Sequence, residues 1–201
     1  MIEESIAPDG RPTVHPETRA EWRAWLGQFH ATSNGVWLVG YRRAVGGPRL
    51  EYEDAVEELL CVGWIDSTGG YLDAERTRLW VCPRRPRSVW SRSNRDRVER
   101  LTAAGLMLPA GQAAVDEAKR RGTWTALDAV EDLTVPEDLA AALAADPPAR
   151  EAWDRVAPST RRMILWWILS AKRPETRAGR VADTARRARE GAPLERTSRV
   201  T

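Results

Sequence analysis

The sequence predicts an α+β protein whose N-terminal half has a small three-stranded sheet and helices and whose C-terminal half is all-helical. Two patterns lead to this prediction. Before residue 90, short runs of β-branched and aromatic residues alternate with segments whose apolar residues recur every three or four positions. After residue 90, only the helical spacing continues. Strands interleaved with helices, followed by a run of helices, are typical of the α+β class.

The first 61 residues are expected to hold an arm, two helices and one strand. Residues 1–16 contain three prolines and a glycine, which favour a flexible N-terminal arm. Apolar residues at three- and four-residue spacing predict a first helix that ends at the turn Asn34-Gly35. Residues 36–41 are β-branched and aromatic and predict a strand. Residues 52–61 have one apolar side and predict a second helix.

The other two predicted strands form a hairpin. Residues 64–67 and 78–81 have the composition of strands, and the pair Gly69-Gly70 between them is typical of a hairpin turn. The strand of the preceding segment and these two make up the expected three-stranded sheet.

Helix start signals recur through the second half. Ser91 is a predicted N-cap, and Asp146 before Pro147 is typical of a cap followed by a first-turn proline. We therefore expect four parts along the chain: a flexible arm over residues 1–16, an α+β domain over 17–130, a helical module over 131–191 and a disordered tail over 192–201.

Composition excludes several classes of protein. The 201 residues include two cysteines and two histidines, too few for a disulfide scaffold, a metal centre or a Ser-His-Asp triad, so neither metal nor cofactor is expected. No apolar run is long enough for a membrane span, so no membrane insertion is expected. The acidic start lacks the apolar stretch of a signal peptide, which favours a cytoplasmic location.

Arginine and tryptophan are unusually frequent. All but two of the 31 basic residues are arginine, and ten tryptophans stand against one phenylalanine. Nine arginines fall within residues 76–100, against two acidic residues, although the formal charge of the whole chain is only +2. Guanidinium groups beside indole faces can hold a carboxylate, a phosphate or a flat conjugated molecule. A solvated helix face with internal ion pairs is the structural alternative.

The sequence therefore predicts a Trp- and Arg-lined cleft that binds an anionic or aromatic ligand. Aromatic side chains would stack on the ligand and polar ones would fix its polar groups. The predicted ligand-binding residues are Trp37, Tyr41, Trp64, Trp80, Arg84, Arg85, Trp90, Ser91 and Asn94. For some of these a structural role is the alternative: Ser91 as a helix cap, for example.

Several motifs together resemble the YdeI/OmpD-associated family, also called the bacteriocin-protection family. The central signature is Gly63-Trp64-Ile65-Asp66-Ser67, and further motifs lie at residues 21–26, 35–39, 83–86, 90–94, 98–101, 158–162, 167–168 and 171–177. The resemblance spans residues 17–191 and implies a role in protection from antimicrobial peptides, in antibiotic resistance or in the stress response. It supplies no catalytic residues.

The chain departs from that family pattern directly after the central signature. Thr68-Gly69-Gly70 stands where basic residues are usual, and Val81-Cys82 stands where Phe-Thr is common. Loss of bulk and positive charge at this hairpin is consistent with a reshaped pocket for one particular small molecule, and equally with neutral drift.

Three functions remain open at this point. The first is a protein, monomeric or homodimeric, that binds and sequesters a toxic or antimicrobial small molecule or peptide. The second is a metal-independent enzyme that modifies such a compound or acts in specialised metabolism, with Asp66 as general acid or base. The third is nucleic-acid binding through the basic segment 76–100, which the near-neutral net charge does not favour, so no nucleic-acid partner is expected.

Overall fold

The chain folds into two compact units. The structure, a computed structural model, describes residues 2–194, and the boundary between the units lies between Thr125 and Ala126. The first unit contains a sheet with helices and the second is helical, which confirms the predicted α+β class.

The sheet of the first unit is mixed and has five strands among the described residues. They are β1 (Glu3–Ile6), β2 (Pro12–His15), β3 (Val36–Tyr41), β4 (Trp64–Tyr71) and β5 (Arg76–Pro83). The spatial order is β1-β2-β3-β5-β4. Strands β2 and β3 run parallel to each other, and every other neighbouring pair is antiparallel.

The prediction of a three-stranded sheet was wrong by two strands, both of which lie in the expected arm. Strands β1 and β2 pair from Glu3 opposite His15 to Ile6 opposite Pro12, and β2 then joins β3. The prolines that favoured an arm are compatible with this arrangement, because Pro12 is the first residue of its strand and needs no ladder donor there.

Four helices of the first unit bury its core on one face of the sheet. They are α1 (Arg19–Phe29), α2 (Tyr52–Cys61), α3 (Arg92–Ala103) and α4 (Pro109–Arg120). Thr18 and Glu21 form a capping box at the start of α1, and Ser91 caps α3. One core cluster joins α1 and α2 to the sheet. A second cluster joins α2, α3 and α4.

The second unit is built from five helices within its described part. They are α5 (Asp128–Glu131), α6 (Glu137–Ala144), α7 (Pro147–Asp154), α8 (Pro158–Leu169) and α9 (Pro174–Glu190). Leu139, Leu143, Trp153 and Ile168 are almost fully buried at its centre. Of the tail expected to be disordered, residues 195–201 lie outside the described residues. None of the helices within residues 2–194 is long and apolar enough to cross a membrane.

Candidate functional site

An open groove of about 520 Å³ lies over one end of the sheet in the first unit. Its floor is formed by β3, β5 and β4, and one wall is formed by the start of α2 and the loop before it. The lining residues are Leu38, Val39, Gly40, Tyr41, Arg49, Leu50, Tyr52, Ala55, Gly69, Gly70, Tyr71, Thr77, Arg78 and Leu79.

Two glycines leave the floor of the groove bare. Successive residues of a strand point to opposite faces, and Leu38 and Leu79 lie directly opposite each other on the core face. Gly40 is two residues along β3 from Leu38 and therefore lies on the same face, and Gly69 is the β4 partner of Leu79. A Cβ atom at Gly40 would meet open space, and one at Gly69 would meet only ordinary contacts, the nearest 3.6 Å away at Leu79. The absence of side chains at these two positions leaves open space above this part of the sheet.

All three tyrosines of the chain lie on the lining. Tyr52 and Tyr71 are 57% and 69% exposed, so their rings are open to a ligand. Tyr41 is half-buried, lies by strand alternation on the same face as Trp37, and has its ring centroid 5.0 Å from that of His15. The guanidinium of Arg42 lies 4.9 Å from the centre of the Tyr71 ring. The groove thus combines an apolar floor with aromatic rings that carry hydroxyl groups.

Asp66 is joined to the groove through a tyrosine. The Tyr52 hydroxyl donates a hydrogen bond of 3.0 Å to Asp66 Oδ2, where Asp66 is half-buried on β4. Burial raises the pKa of Tyr52, and the Asp66 carboxylate raises it further because it disfavours a second negative charge. The hydroxyl therefore stays protonated at neutral pH and is available as a donor.

The structure does not bring Trp64 and Trp90 together in a cleft. Trp64 is 1% exposed in the core cluster of α1, α2 and the sheet, where it donates to the carbonyl of His30. Trp90 is 2% exposed in the other cluster of the first unit. Both indoles are packed in the core, and neither lines the groove.

Trp37 and Trp80 form a separate pair on the opposite face of the sheet from the groove floor. They are register partners on β3 and β5, and their ring centroids are 5.3 Å apart with the rings at 72°. Arg78 lies 4.3 Å from the centre of the Trp37 ring and Arg11 lies 4.6 Å from that of Trp80. The Trp37 indole also donates to Asp9. On this face of the sheet, the tryptophan rings are therefore already stacked with arginine side chains of the protein itself.

The remaining predicted residues surround the start of α3. Arg84, Arg85 and Trp90 line a small cavity of about 80 Å³. Ser91 accepts a hydrogen bond from the backbone N–H of Asn94, and the Asn94 side chain accepts one from Arg97. Ser91 and Asn94 thus have structural partners at the start of the helix.

Of the predicted binding residues, Tyr41 alone lines the groove, and Asp66 touches it through Tyr52. Sequence reasoning missed Tyr52, Tyr71 and Leu50. Two signals in the sequence point toward them: the Gly69-Gly70 departure from the family pattern, and a tyrosine at the first position of the second helix.

Within the described residues, no group of three His, Cys, Asp or Glu side chains could hold a metal ion. The geometry therefore defines an α+β unit with a tyrosine-lined groove on its sheet, followed along the chain by a helical unit.

Two family models match these two units. A model described as a domain of unknown function (DUF8412) matches residues 14–114, half of the chain. A model described as bacteriocin-protection, YdeI or OmpD-associated matches residues 132–191. The chain belongs to the DUF8412 family through its first unit. The bacteriocin-protection, YdeI or OmpD-associated model matches the C-terminal part of the predicted resemblance, whereas the central signature at residues 63–67 lies within the DUF8412 match. Neither the curated proteins nor the solved structures give a match.

Proposed function

We propose that this is a binding protein that sequesters a small aromatic molecule in the tyrosine-lined groove. The observation that carries the proposal is the floor that Gly40 and Gly69 leave bare beneath Tyr52 and Tyr71. A volume of about 520 Å³ lies within the range of small-molecule sites. An apolar floor with a few hydroxyl groups at its rim suits a flat apolar body that carries hydrogen-bonding groups.

The bacteriocin-protection family that matches the second unit suggests a biological role for this binding. Sequestration of a toxic or antimicrobial compound in the cytoplasm would lower its free concentration, which is a form of resistance or stress protection. The description of the second unit as bacteriocin-protection supports this direction.

The test fills the groove without disturbing the ladder. Gly69→Leu places a side chain on the groove face beside Leu79, and the probe is the dye 1-anilinonaphthalene-8-sulfonate, whose fluorescence rises in apolar sites. We expect the wild type to bind the dye saturably and Gly69→Leu to bind it at least about tenfold more weakly, since the leucine occupies the volume of the ligand. Candidate antimicrobial compounds are then ranked by displacement of the dye.

Gly27→Leu is the matched control. Gly27 is an exposed position of α1 outside the groove lining, where a Cβ meets open space. We expect its affinity for the dye to remain that of the wild type. Equal affinity in all three proteins, with folding verified by circular dichroism, would place the dye elsewhere and remove the groove from the proposal.

A second candidate function is catalysis at the hydrogen-bonded pair of Tyr52 and Asp66. The Asp66 carboxylate is positioned to accept the proton of the Tyr52 hydroxyl while the tyrosine oxygen takes a proton from a molecule in the groove. Asp66→Asn keeps the size of the side chain and removes the base. Mass spectrometry measures whether a compound is consumed in the presence of the wild type. Consumption that stops in Asp66→Asn, while the variant still binds the compound, would favour the enzyme. Compound loss that continues in the variant would remove Asp66 from the mechanism.

Nucleic-acid binding through the basic segment has less support. Several of its arginines are paired with carboxylates from other parts of the first unit: Arg78 with Asp9, and Arg97 with Glu53. The positive charge of the basic segment is therefore partly neutralised by carboxylates that the fold brings next to it. We expect no salt-dependent mobility shift of duplex or single-stranded DNA at physiological ionic strength.

A further inference from the structure

The guanidinium of Arg84 lacks partners for two of its nitrogens. The side chain follows β5 and lies over the Trp90 ring, with Cζ 3.6 Å from the ring centre. Its Nη1 donates to the carbonyl of Val89 at 3.4 Å. Its Nε and Nη2 atoms are shielded from solvent and have no hydrogen-bond partner among the described residues. These two nitrogens form one edge of the guanidinium fork.

This situation differs from that of other arginines in the first unit. Arg19 contacts three carboxylates and Arg97 contacts Glu53 with two nitrogens. Burial lowers the pKa of Arg84 to about 10, and the Asp66 carboxylate opposes this only in part. Arg84 is still protonated at neutral pH, and its charge, with two nitrogens shielded from solvent, has no salt bridge among the described residues. Such a charge is costly unless an anion pairs with it.

A small cavity of the first unit is lined in part by Arg84. It has a volume of about 80 Å³, several times the minimum that holds one water molecule, and is lined by Arg84, Arg85, Pro86, Ser88, Trp90, Ala114, Glu117 and Ala118. Among these described lining residues, Glu117 carries the one negative charge, and it contacts Arg120 and Arg121. Two arginines against one already paired carboxylate leave the lining positive.

We propose that this cavity binds a small oxyanion, a carboxylate or a phosphate group, through the Nε and Nη2 edge of Arg84. The two N–H groups of that edge match the spacing of two oxygens on one carboxylate or phosphate. Stacking on Trp90 fixes the plane of the fork, and Arg85 at the rim attracts the anion. The lining shares no residue with the groove, so the site is a second one.

Arginine side-chain NMR tests the proposal on the intact protein. In a ¹⁵N-labelled sample, the Nε–H resonance of Arg84 is assigned by its disappearance in Arg84→Lys. Inorganic phosphate and acetate are then titrated separately, and sodium chloride at matched ionic strength is the control. We expect a saturable shift of this resonance with at least one oxyanion and none with chloride. The oxyanion that binds with the higher affinity, phosphate or acetate, identifies the chemical class of the natural anion.

Thermal unfolding gives a second readout that does not depend on the assignment. The anion that binds should raise the thermal unfolding midpoint of the wild type as its concentration increases, since it binds the folded state alone. Arg84→Met removes the buried charge and keeps apolar contact with Trp90, so its midpoint should not respond to the anion. The control Arg87→Met alters an exposed arginine of the same loop and should respond like the wild type.

Absence of a saturable shift with both oxyanions, or an equal response to chloride, would overturn the proposal. Anion-dependent stabilisation that persists in Arg84→Met would also overturn it. Either result leaves the groove untouched, because dye binding in Gly69→Leu is measured at a different site.

Discussion

Single charged residues inside the first unit are held by specific partners. Glu58 is 2% exposed on α2, and its two carboxylate oxygens accept hydrogen bonds from Arg19 at 2.6 Å and from Arg23 at 2.7 Å. The apolar side of residues 52–61 predicted this helix, and the structure shows that two of its acidic residues, Glu57 and Glu58, are buried as well. Paired burial of this kind ties α1 to α2.

Glu58→Gln should strongly destabilise the protein. The amide removes the negative charge that both arginines contact. Arg19 keeps Asp54 and Glu57, but Arg23 loses its contact with the Glu58 carboxylate, so we expect a loss of about 3 kcal/mol in the free energy of unfolding. Urea denaturation measures it. Glu99→Gln changes an exposed glutamate of α3 in the same unit and should leave the urea midpoint unchanged. Similar midpoints for both variants would show that the buried carboxylate is not essential.

Cys61 should be chemically inert in the folded protein. Burial and, to a smaller extent, the nearby Glu58 carboxylate raise the pKa of its thiol to about 11. The reactive thiolate therefore forms only as the pH approaches 11, well above neutral. In Cys82→Ser, which leaves Cys61 as the one thiol of the chain, iodoacetamide at pH 8 should modify the protein only after urea is added. Rapid labelling of the folded variant, followed by mass spectrometry, would contradict this.

At the scale of elements, local patterns predicted helices better than strand ends. The second helix was expected at residues 52–61 and is observed as α2 (Tyr52–Cys61). The hairpin was expected to turn at Gly69-Gly70, but both glycines lie within β4. The actual turn follows Tyr71, where Asp73 Oδ1 accepts hydrogen bonds from the backbone N–H groups of Glu75 and Arg76. A glycine pair is a strong turn signal, and here an Asx turn four residues later replaced it.

The candidate site was less predictable than the fold. Residues distant in the sequence meet at the groove only through the strand register, which places Gly69 beside Leu79 and Tyr71 beside Thr77. Tryptophan is abundant in the sequence and was therefore predicted to line the site, yet Trp64 and Trp90 are buried in the core. Composition identifies which residue types are unusual, but burial decides which of them are available to a ligand.

The ion pair between α6 and α9 should make the second unit sensitive to acid. Arg177 donates two hydrogen bonds to Asp138 and holds the pKa of that carboxyl below its ordinary value of 3.8. A lowered folded-state pKa stabilises the fold above about pH 4, and this stabilisation is lost as the pH falls through the folded-state value.

Asp138→Asn should therefore cost about 0.5 kcal/mol at pH 7, the magnitude usual for an exposed pair. The difference from the wild type should vanish near pH 2, and urea denaturation at both pH values measures it. Glu137→Gln, at the neighbouring exposed position, is the control and should show no such dependence. A difference that is the same at both pH values would mean that the ion pair contributes nothing.

At the scale of the whole molecule, each unit has a core of its own. The buried cluster of the second unit is drawn entirely from residues after Ala126, with Trp153 1% exposed at its centre. A chain of about 70 residues with such a core is long enough to fold alone.

Residues 126–201 expressed alone should therefore be helical and unfold cooperatively. Circular dichroism with thermal denaturation measures both properties. Trp153→Ala in the same fragment should abolish the cooperative transition, because loss of a buried indole costs about 3–5 kcal/mol. A fragment without a cooperative transition would indicate that this unit depends on the rest of the chain.

The bare floor at Gly40 and Gly69 also has a consequence for how such a protein diversifies. Since glycine has only a hydrogen atom as its side chain, one substitution at either position would change the shape of the groove without breaking any existing contact. Ligand preference could then drift rapidly among descendants of one ancestral scaffold. A small library randomised at these two codons would be an economical starting point for engineering receptors toward chosen compounds.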